Sequence, residues 1–281
     1  MAETAIKISK VSFKYRNGIT FAIQEVTLEI LKGEFVLLAG YSGSGKSTLL
    51  RCINGLIPHF YSGRFGGKVN VMGIDTLETS TPHLAEKVGF VFQNPENQIS
   101  NMTVEREIAF PLENFGVPKE KIITRVQEII DLLDLERIRF KSPDEISGGE
   151  QQLTSIGAAL ALDPPILVLD EVTAHLSPKS AYKILDLLYE LNKKHEKTII
   201  LTEHRLDRCI NYVDKLAFLS GGRLLGFGLP SEIFYEKNFP QEMLPKIPSI
   251  YMRLQKEYSI SKGSFPLTVE DLTKIIGGSE G

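Results

Sequence analysis

Residues 40–48 constrain the fold of this chain more than any other stretch. They read Gly-Tyr-Ser-Gly-Ser-Gly-Lys-Ser-Thr, which has the spacing of a phosphate-binding loop. An unbroken apolar run of strand length, Phe35–Ala39, comes directly before them, and a run compatible with a helix, residues 49–54, comes directly after. This order of strand, loop and helix is the context that the motif requires, so it outweighs the alternative of a Gly/Ser turn capping an ordinary helix.

Each residue type in the loop suits a polyphosphate. The glycines allow backbone conformations that point successive N–H groups inward, at the positive end of the following helix. Lys46 is predicted to reach the β- and γ-phosphates, the Ser47 hydroxyl to ligate Mg²⁺, and Thr48 to face the α-phosphate. The predicted nucleotide-binding residues of the loop are Gly40, Tyr41, Ser42, Gly43, Ser44, Gly45, Lys46, Ser47 and Thr48.

The composition is that of a globular protein. A length of 281 residues suits one large α/β domain, or a main domain with an appendage, around a sizeable core. Hydrophobic residues make up 42% of the chain and charged residues 24%, which argues against disorder. The net charge of −3 gives no general electrostatic reason to bind nucleic acid, so no nucleic-acid partner is expected.

The cysteines and the apolar runs indicate a compartment. Cys52 and Cys209 stand far apart, without neighbours at the spacing of metal ligands, which predicts free thiols in a reducing compartment and no zinc site. The N-terminus lacks a basic segment followed by an apolar one, and no apolar run approaches the roughly 18 to 20 residues that span a bilayer. We therefore expect a cytoplasmic chain that reaches a membrane only through a partner.

The first part of the chain carries strand patterns. Residues 11–15 alternate apolar and polar types, residues 21–30 are rich in β-branched types, and Asn17-Gly18 lies between them, which predicts a hairpin in an N-terminal β-layer. Further strands are predicted at residues 68–72 and 87–92, and the second of these ends beside Gln93.

Helical spacing replaces the strand patterns from about residue 103 to 140. Pro111 and the run Gly116-Val117-Pro118 are expected to divide this stretch into two or three helices. Strands and helices then alternate, which predicts a parallel sheet with helices on its faces. The predicted elements are a helix at 147–161, a strand at 166–169, a helix at 179–193, a strand at 198–201, a closing hairpin at 216–220 and 223–227, and a short helix near Ser231.

The last part of the chain has a different texture, because prolines and Gly263 interrupt short helical stretches. Amphipathic segments are predicted at residues 254–260 and after a capping box formed by Thr268 and Asp271. We interpret residues 236–281 as a small separate module whose apolar faces suggest a dimerisation or partner contact. Residues 1–235 then form the main domain.

Two carboxylates, Asp170 and Glu171, follow the apolar strand at residues 166–169. Strand ends abut the nucleotide at the carboxyl edge of an open α/β sheet. Asp170 is predicted to complete the Mg²⁺ shell and Glu171 to polarise the attacking water, because phosphoryl transfer depends mostly on positioning and charge stabilisation. Alone, the pair would be read as a helix cap, but its place after the phosphate-binding loop favours the catalytic interpretation.

Residues 146–150, Ile-Ser-Gly-Gly-Glu, precede a helical run, and Ser147 with Glu150 forms a capping-box pattern. Gly148 and Gly149 are unusual in a first helical turn unless the backbone must approach something closely, and a phosphate is the natural candidate. With this motif the chain resembles, over about residues 5–235, the ATP-binding subunits of ABC transporters, whose Leu-Ser-Gly-Gly-Gln signature it matches.

The resemblance implies an α/β fold of the phosphate-loop NTPase class. This ABC ATPase fold has an N-terminal antiparallel β-layer, a mostly parallel core sheet, a helical subdomain at about residues 100–160 and a small C-terminal helical module. The resemblance also implies binding and hydrolysis of ATP with Mg²⁺. Gln93 matches the glutamine that contacts Mg²⁺ and the water, His204 the histidine that contacts the γ-phosphate, and Tyr15 the aromatic residue that stacks on adenine. Without the resemblance, a glutamine at a strand end and a lone histidine would be unremarkable.

In this family the signature of one subunit closes over the ATP held by another. The resemblance therefore implies that Ser147, Gly148, Gly149 and Glu150 contact a nucleotide in a second chain. Residues 54–59, 92–98, 107–118 and the C-terminal module look most like the energy-coupling-factor ATPases of cobalt and vitamin uptake. The implied partners are a second ABC ATPase, a transmembrane coupling protein and a substrate-binding membrane subunit, at the cytoplasmic face of the cell membrane.

Three positions depart from the family pattern: Val172, Leu153 and Ser177 stand where Pro, Arg and Asp are usual. The missing carboxylate at Ser177 favours an asymmetric heterodimer over a homodimer, because a related ATPase would then supply the group that one site lacks. One alternative function is a soluble ABC ATPase in translation, repair or assembly, although two fused ATPase units or large inserted arms are usual there. Another is a nucleotide-binding scaffold that does not hydrolyse ATP.

Overall fold

The computed structural model describes residues 3–258 and 265–277. Its strands are β1 (Thr4–Tyr15), β2 (Ile23–Leu31), β3 (Phe35–Ala39), β4 (Gly63–Val71), β5 (Ile74–Asp75), β6 (Val88–Val91), β7 (Ile166–Asp170), β8 (Thr198–Thr202), β9 (Lys215–Ser220) and β10 (Arg223–Gly228). Its helices are α1 (Lys46–Ile53), α2 (Leu56–His59), α3 (Thr81–Ala85), α4 (Val104–Asn114), α5 (Lys119–Leu133), α6 (Gly148–Leu160), α7 (Pro178–His195), α8 (Leu206–Cys209), α9 (Pro230–Ile233), α10 (Lys246–Tyr258) and α11 (Val269–Gly277).

The described strands form two sheets. The first has the order β2-β1-β4-β5 and is antiparallel, which confirms the predicted hairpin and the N-terminal β-layer. The second has the order β10-β9-β3-β8-β7-β6; all its neighbouring strands are parallel except β10, which pairs antiparallel with β9 at the edge. The predicted mostly parallel core sheet is therefore confirmed.

Strand β3 shows why its sequence is apolar without interruption. Phe35, Leu37 and Ala39 face one hydrophobic core, which packs against the helices α4 to α7, whereas Val36 and Leu38 face a second core shared with α1 and the antiparallel sheet. Successive side chains of a strand point to opposite faces, so a strand between two cores needs apolar residues at every position.

The helical region differs from the prediction at Pro111, which does not end a helix. Pro111 lies inside α4, which continues to Asn114. A proline removes one internal hydrogen bond, and only the last few residues of α4 follow it, so the helix tolerates the loss close to its end. The predicted break at Gly116-Val117-Pro118 is confirmed, because α5 begins at Lys119.

The C-terminal segment packs on the main domain through aromatic residues. The rings of Phe239 and Phe218, the latter in β9, lie 4.9 Å apart between centroids, and Phe265 lies 5.9 Å from Phe234. Tyr251 and Leu272, from α10 and α11, belong to the same hydrophobic core as β9. Residues 259 and 260 of the predicted segment 254–260 lie outside the described residues. A dimerisation or partner role for this segment stays a prediction.

Cys52 and Cys209 are both free, as predicted, and both are buried. Burial raises the pKa of each thiol, so neither cysteine has the character of a reactive thiolate. None of the helices in the described ranges is long and apolar enough to cross a bilayer.

Candidate active site

The strand order brings the predicted site residues to one edge of the core sheet. Strands β3, β8, β7 and β6 are consecutive neighbours and run parallel, so their carboxyl ends meet at the same edge. The phosphate-binding loop follows β3, Glu171 follows β7, His204 lies two residues after β8, and Gln93 lies two residues after β6. A cavity of about 310 Å³ opens there, lined by Ala22, Ser42, Gly43, Gly45, Lys46, Ser47, Thr48, Gln93, Glu171 and His204.

The loop geometry requires glycine at two of its positions. At Gly40, a Cβ atom would lie 2.3 Å from the carbonyl oxygen of Leu219, and at Gly45 it would lie 2.5 Å from the carbonyl oxygen of Ala22. Gly45 also has a φ of +104°, a conformation that side chains disfavour. Both glycines therefore let the loop run against neighbouring backbone, and a larger residue would displace it.

The start of α1 presents donors without acceptors. The first N–H groups of α1, from Lys46 to Thr48, lack an intrahelical partner, as at every helix start, and Gly45, the N-cap residue, has no side chain that could replace it. The hydroxyl of Ser44 is buried and also has no hydrogen-bond partner. Unpaired donors and a positive helix end are the features that bind a phosphate, so the loop fits the predicted polyphosphate.

Lys46 holds a buried positive charge in this loop. Its Nζ donates to the carbonyl oxygens of Gly40, at 3.0 Å, and Tyr41, at 3.1 Å, and lies 3.7 Å from Oε1 of Glu171. Burial lowers the pKa of Lys46 from its ordinary value, while the carboxylates of Glu171 and Asp170 oppose that shift. The ammonium group is thus held inside the loop, in reach of an anion in the cavity.

Glu171 is the centre of the site. Its Oε1 lies 2.8 Å from Nε2 of His204, and its Oε2 accepts a hydrogen bond of 2.7 Å from Nε2 of Gln93. Its φ of +53° is uncommon for a residue with a side chain and is of the kind that clusters at functional sites. The structure therefore brings Lys46, Gln93, Glu171 and His204 together, which the sequence placed on four separate segments.

Thr202 is a site residue that the sequence reasoning missed. Its hydroxyl donates to Oδ1 of Asp170 and accepts from the N–H of Glu171, both at 2.8 Å. It is fully buried at the end of β8, directly opposite Asp170 of β7 in the sheet register. The sequence does show a polar residue at the end of an apolar strand. Its contact with Asp170 could not be predicted, because that contact depends on which strand lies beside β8.

The predicted Mg²⁺ ligands are a hydroxyl, an amide and a carboxylate: Ser47, Gln93 and Asp170. No cluster of three or more His, Cys, Asp or Glu side chains able to hold a metal occurs in the described part of the chain. Mg²⁺ prefers oxygen ligands and usually retains several waters and substrate phosphates. This sparse donor set fits a metal that arrives with a nucleotide, whose charge Mg²⁺ neutralises during phosphoryl transfer.

The two tyrosines predicted to bind nucleotide have other contacts. The hydroxyls of Tyr15 and Thr48 share a hydrogen bond of 3.1 Å, and the Tyr15 ring packs edge-on against Phe13, with centroids 4.8 Å apart. Tyr41 lies outside the residues that line the cavity, and its hydroxyl donates at 2.5 Å to Glu242 of the C-terminal segment. Stacking of adenine on Tyr15 stays a prediction.

The signature residues lie apart from the phosphate-binding loop of their own chain. Ser147 caps α6 and forms the predicted capping box with Glu150: Glu150 Oε2 accepts from the Ser147 N–H at 2.8 Å, and the Ser147 hydroxyl accepts from the Glu150 N–H at 3.4 Å. A Cβ atom at Gly149 would lie 3.1 Å from the hydroxyl oxygen of Ser180, so this glycine approaches α7 closely, whereas Gly148 faces open space. Of these two glycines, Gly148 is therefore the one with open space beside it.

Comparisons with known proteins identify the family. The family model for the ABC transporter matches residues 23–174, more than half of the chain. An ABC transporter ATP-binding protein of Pyrococcus abyssi is 41% identical over 92% of this chain and 91% of its own length, and one of Pyrococcus horikoshii is 40% identical over 92% and 89%. This chain belongs to the ABC transporter ATP-binding family.

Solved structures agree with this assignment. The cbiO1 protein of Clostridium perfringens, part of the ABC transporter complex cbiONQ, has a TM-score of 0.75 at 27% identity over 92% of this chain and 96% of its own. The ATP-binding cassette MJ0796, in a dimeric post-hydrolysis state with ADP and phosphate, has a TM-score of 0.69 at 31% identity over 80% and 98%. The predicted ABC ATPase fold is confirmed. The prediction that the protein is an enzyme that binds ATP with Mg²⁺ and hydrolyses it is confirmed as well.

The three departures from the ABC pattern are accommodated without strain. Leu153 and Val172 are buried in the hydrophobic core, where apolar side chains are favoured. Ser177 caps α7, its hydroxyl accepting from the N–H of Ser180 at 3.2 Å. Serine thus performs the capping that an aspartate would perform at this position, but without a charge.

The arrangement around Glu171 explains how this ABC ATPase can act on a terminal phosphate. Lys46, Gln93 and His204 all direct donors at the Glu171 carboxylate, and these are groups that stabilise a phosphoryl oxygen. A phosphate seated at the start of α1 offers the same donors a second anion. The predicted role of Glu171 is then to accept a hydrogen bond from a water instead and to orient that water for attack.

Proposed function

We propose that this protein is the ATP-hydrolysing subunit of an energy-coupling-factor-type ABC transporter that imports a vitamin or a transition-metal ion. The observation that carries the proposal is the extent of the likeness to cbiO1. That likeness covers 92% of this chain, against 80% for the cassette MJ0796, so it reaches beyond the core cassette into the C-terminal segment. The same subfamily is supported by three sequence stretches that resemble energy-coupling-factor ATPases: residues 54–59, 92–98 and 107–118.

A groove beside Gln93 supports docking of a transmembrane coupling protein. The groove has a volume of about 320 Å³, lies between β6 and the helices α4 and α6, and has mostly apolar walls that include Phe90, Phe92 and Phe110. Gln98 ties the following loop to β6: its amide donates to the carbonyl oxygen of Phe90 at 3.3 Å and accepts from the N–H of Phe92 at 3.0 Å. A partner seated in this groove would press on the segment that carries Gln93, and so on Glu171. We place the protein at the cytoplasmic face of the membrane, bound to this partner and to a substrate-binding membrane subunit.

The second ATPase subunit completes the proposed site. No signature residue lines the cavity of the phosphate-binding loop in the same chain, so Ser147, Gly148, Gly149 and Glu150 are proposed to act on the nucleotide of a partner. The neutral side chain at Ser177 favours a related but different ATPase as that partner. A homodimer is the alternative outcome.

The test is purification of the tagged full-length protein from its native membrane, with the copurifying proteins identified. We expect a second ABC ATPase and two membrane proteins, and vesicles containing the complex should take up substrate only with hydrolysable ATP. The Glu171→Gln protein should bind ATP and fail to transport. A protein that stays in the soluble fraction of cells expressing its genomic neighbours would contradict the transport function and favour a soluble ABC ATPase. A tight ATP-dependent homodimer of Glu171→Gln protein alone would contradict the heterodimer.

A further inference from the structure

A buried carboxylate, Glu203, lies between Thr202 and His204 and has no role in the site described above. Only 1% of this residue is exposed to solvent. Burial of a carboxylate is costly unless hydrogen bonds replace its water. The groups that donate hydrogen bonds to Glu203 therefore indicate which segments it stabilises.

Its two oxygens contact two different segments. Oε1 accepts hydrogen bonds from the N–H groups of His204, at 2.8 Å, and Arg205, at 2.9 Å. Oε2 accepts a hydrogen bond from the hydroxyl of Thr173, a residue that is itself fully buried. One carboxylate thus joins the backbone that carries His204 to the segment that follows Glu171.

This contact completes a pair of anchors around Glu171. Before it, the N–H of Glu171 donates to Thr202; after it, Thr173 is held by Glu203. Arg208, from α8, reinforces the second anchor by donating to the carbonyl oxygen of Thr173 at 3.2 Å. A residue with a φ of +53° persists only where its surroundings fix it, and these contacts do so.

A simpler role for Glu203 would be to cap α8, because the two N–H groups that donate hydrogen bonds to its Oε1 lie just before that helix. Capping accounts for the contacts of Oε1 but not for that of Oε2, since Thr173 belongs to the loop after β7. The bridge between the loops, rather than the cap, relates Glu203 to the distance between Glu171 and His204.

We propose that Glu203 is a positioning residue for ATP hydrolysis, which holds His204 and Glu171 at hydrogen-bond distance by joining their two loops. The proposal rests on the roles assigned to Glu171 and His204. Glu203 contacts neither the nucleotide cavity nor its lining side chains, so its loss should lower kcat and leave nucleotide affinity unchanged.

The experiment is a double-mutant cycle on the full-length ATPase with its partner subunit. Glu203→Gln and Thr173→Val are each made in the wild type and in His204→Ala, and kcat, KM, the Kd for ATP and the unfolding temperature are measured. We expect Thr173→Val to lower kcat about tenfold or more with KM within about twofold, because small misplacements of catalytic groups are costly. Glu203→Gln should have a smaller effect, since a glutamine amide can still hydrogen-bond to both segments. In the His204→Ala background Thr173→Val should lower kcat by a smaller factor, since only one of the two residues that Glu203 positions is then left.

Asn192→Leu is the control for general loss of buried hydrogen bonds. Asn192 is buried and donates to the carbonyl oxygens of Gly33 and Lys197, far along the chain from the site. This variant should lower the unfolding temperature and keep kcat. Thr173→Val is the decisive variant, because it removes the hydrogen bond between the two loops at nearly constant side-chain shape.

The proposal is overturned if Thr173→Val keeps kcat within about twofold, or if the loss is equally large in His204→Ala. Failure of the underlying assignment has a separate signature. If Glu171→Gln hydrolyses ATP like the wild type, Glu171 is not the catalytic carboxylate. If Glu171→Gln is inactive and Thr173→Val is not impaired, only the positioning role fails.

Discussion

Two helices of this protein begin beside glycines and are assigned to phosphate, yet their first turns are built differently. Helix α1 begins after Gly45, which supplies no side-chain cap, and its first N–H groups remain free for a ligand. Helix α6 begins after Ser147 and is closed by its own capping box with Glu150, whose carboxylate also pairs with Arg137 at 2.5 Å. One helix end is left open, and the other is already occupied by an anion of the same chain.

The difference between the two helix ends suggests that α1 binds the nucleotide and that α6 adjusts how readily the dimer closes. At α1 the helix dipole, the free N–H groups and the buried Lys46 all attract an anion, so we expect the affinity for nucleotide to reside there. At α6 a phosphate from another chain would compete with Glu150 for the Ser147 hydroxyl, which donates to that carboxylate at 2.8 Å. The signature of this protein should therefore favour closure of the dimer more weakly than a signature ending in glutamine.

The largest effect is expected from Gly45→Ala, which would break the open helix end. The added Cβ atom meets the carbonyl oxygen of Ala22 at 2.5 Å, and the φ of +104° adds a strain of about 1–3 kcal/mol. The loop should move away from the phosphate, weakening ATP binding about 100-fold, the equivalent of one charge-assisted hydrogen bond of about 1.5–3 kcal/mol. Titration with a fluorescent ATP analogue measures this.

Gly43→Ala is the matched control for that variant. Gly43 also has a positive φ, +76°, but no heavy atom outside the glycine and its two chain neighbours lies within 4 Å of the added Cβ. Backbone strain alone should therefore give a smaller loss of affinity. Equal losses in the two variants would mean that the contact with Ala22 does not shape the loop.

The sequence predicted the open helix end better than the residues that support it. Residues 35–48 have a local pattern, because an apolar strand, a glycine loop and a helix follow one another within one stretch of chain. Thr202 and Glu203 have no such pattern: their partners Asp170 and Thr173 lie on another strand and its loop, and β8 is placed beside β7 only by the order of the sheet.

Tyr41 illustrates a further limit of local pattern. The motif predicts the backbone of the loop, but the position between its first and second glycines is free to vary. Its side chain meets Glu242, about 200 residues later in the chain, through the packing of the C-terminal segment on β9. Contacts of this kind follow from tertiary packing, which no spacing within the motif encodes.

The second prediction addresses the capped helix end through Gly148→Ala. No heavy atom of the same chain lies within 4 Å of the added Cβ atom, and alanine is more favourable than glycine in a helix by about 0.5–1 kcal/mol. The unfolding temperature should therefore rise slightly and ATP binding to the isolated chain should not change. Steady-state hydrolysis by the dimer should fall about tenfold if a partner's phosphate approaches this glycine.

Gly149→Ala separates that effect from packing within the chain. The added Cβ atom would lie 3.1 Å from the hydroxyl oxygen of Ser180, so α6 and α7 must shift by a few tenths of an ångström. This variant should lower the unfolding temperature, as Gly148→Ala should not. Unchanged hydrolysis in Gly148→Ala would remove Gly148 from the proposed contact between subunits.

The substitution Glu150→Gln removes the negative charge from the capped start of α6. Glutamine keeps the capping box, and the loss of a negative charge at a helix end that faces phosphate should favour closure by about 0.3–1 kcal/mol. The KM for ATP, or the concentration of ATP that half-closes the dimer, should fall about two- to fivefold. Arg137→Gln should act in the opposite direction, because it removes the cation that Glu150 now pairs with. A Glu150→Gln dimer that closes less readily would contradict competition between Glu150 and phosphate.

The smallest effect concerns the pH dependence of the capped end. Hydrogen bonding by the Ser147 N–H, its largest cause, lowers the pKa of Glu150 below the ordinary value of 4.5 in the folded protein. A carboxylate with a lowered pKa contributes stability that is complete above its unfolded pKa and is lost as the pH falls through its folded pKa. The difference in unfolding temperature between the wild type and Glu150→Gln should therefore be constant from pH 7 to about 5. Below about pH 4.5 the wild type should lose the stability that the Glu150 carboxylate contributes, whereas Glu150→Gln should not. Other carboxylates titrate in the same range in both proteins, so the comparison isolates Glu150. A difference that is constant down to pH 3.5 would mean that the capping box does not depend on the charge of Glu150, and the two helix ends would then differ in shape alone.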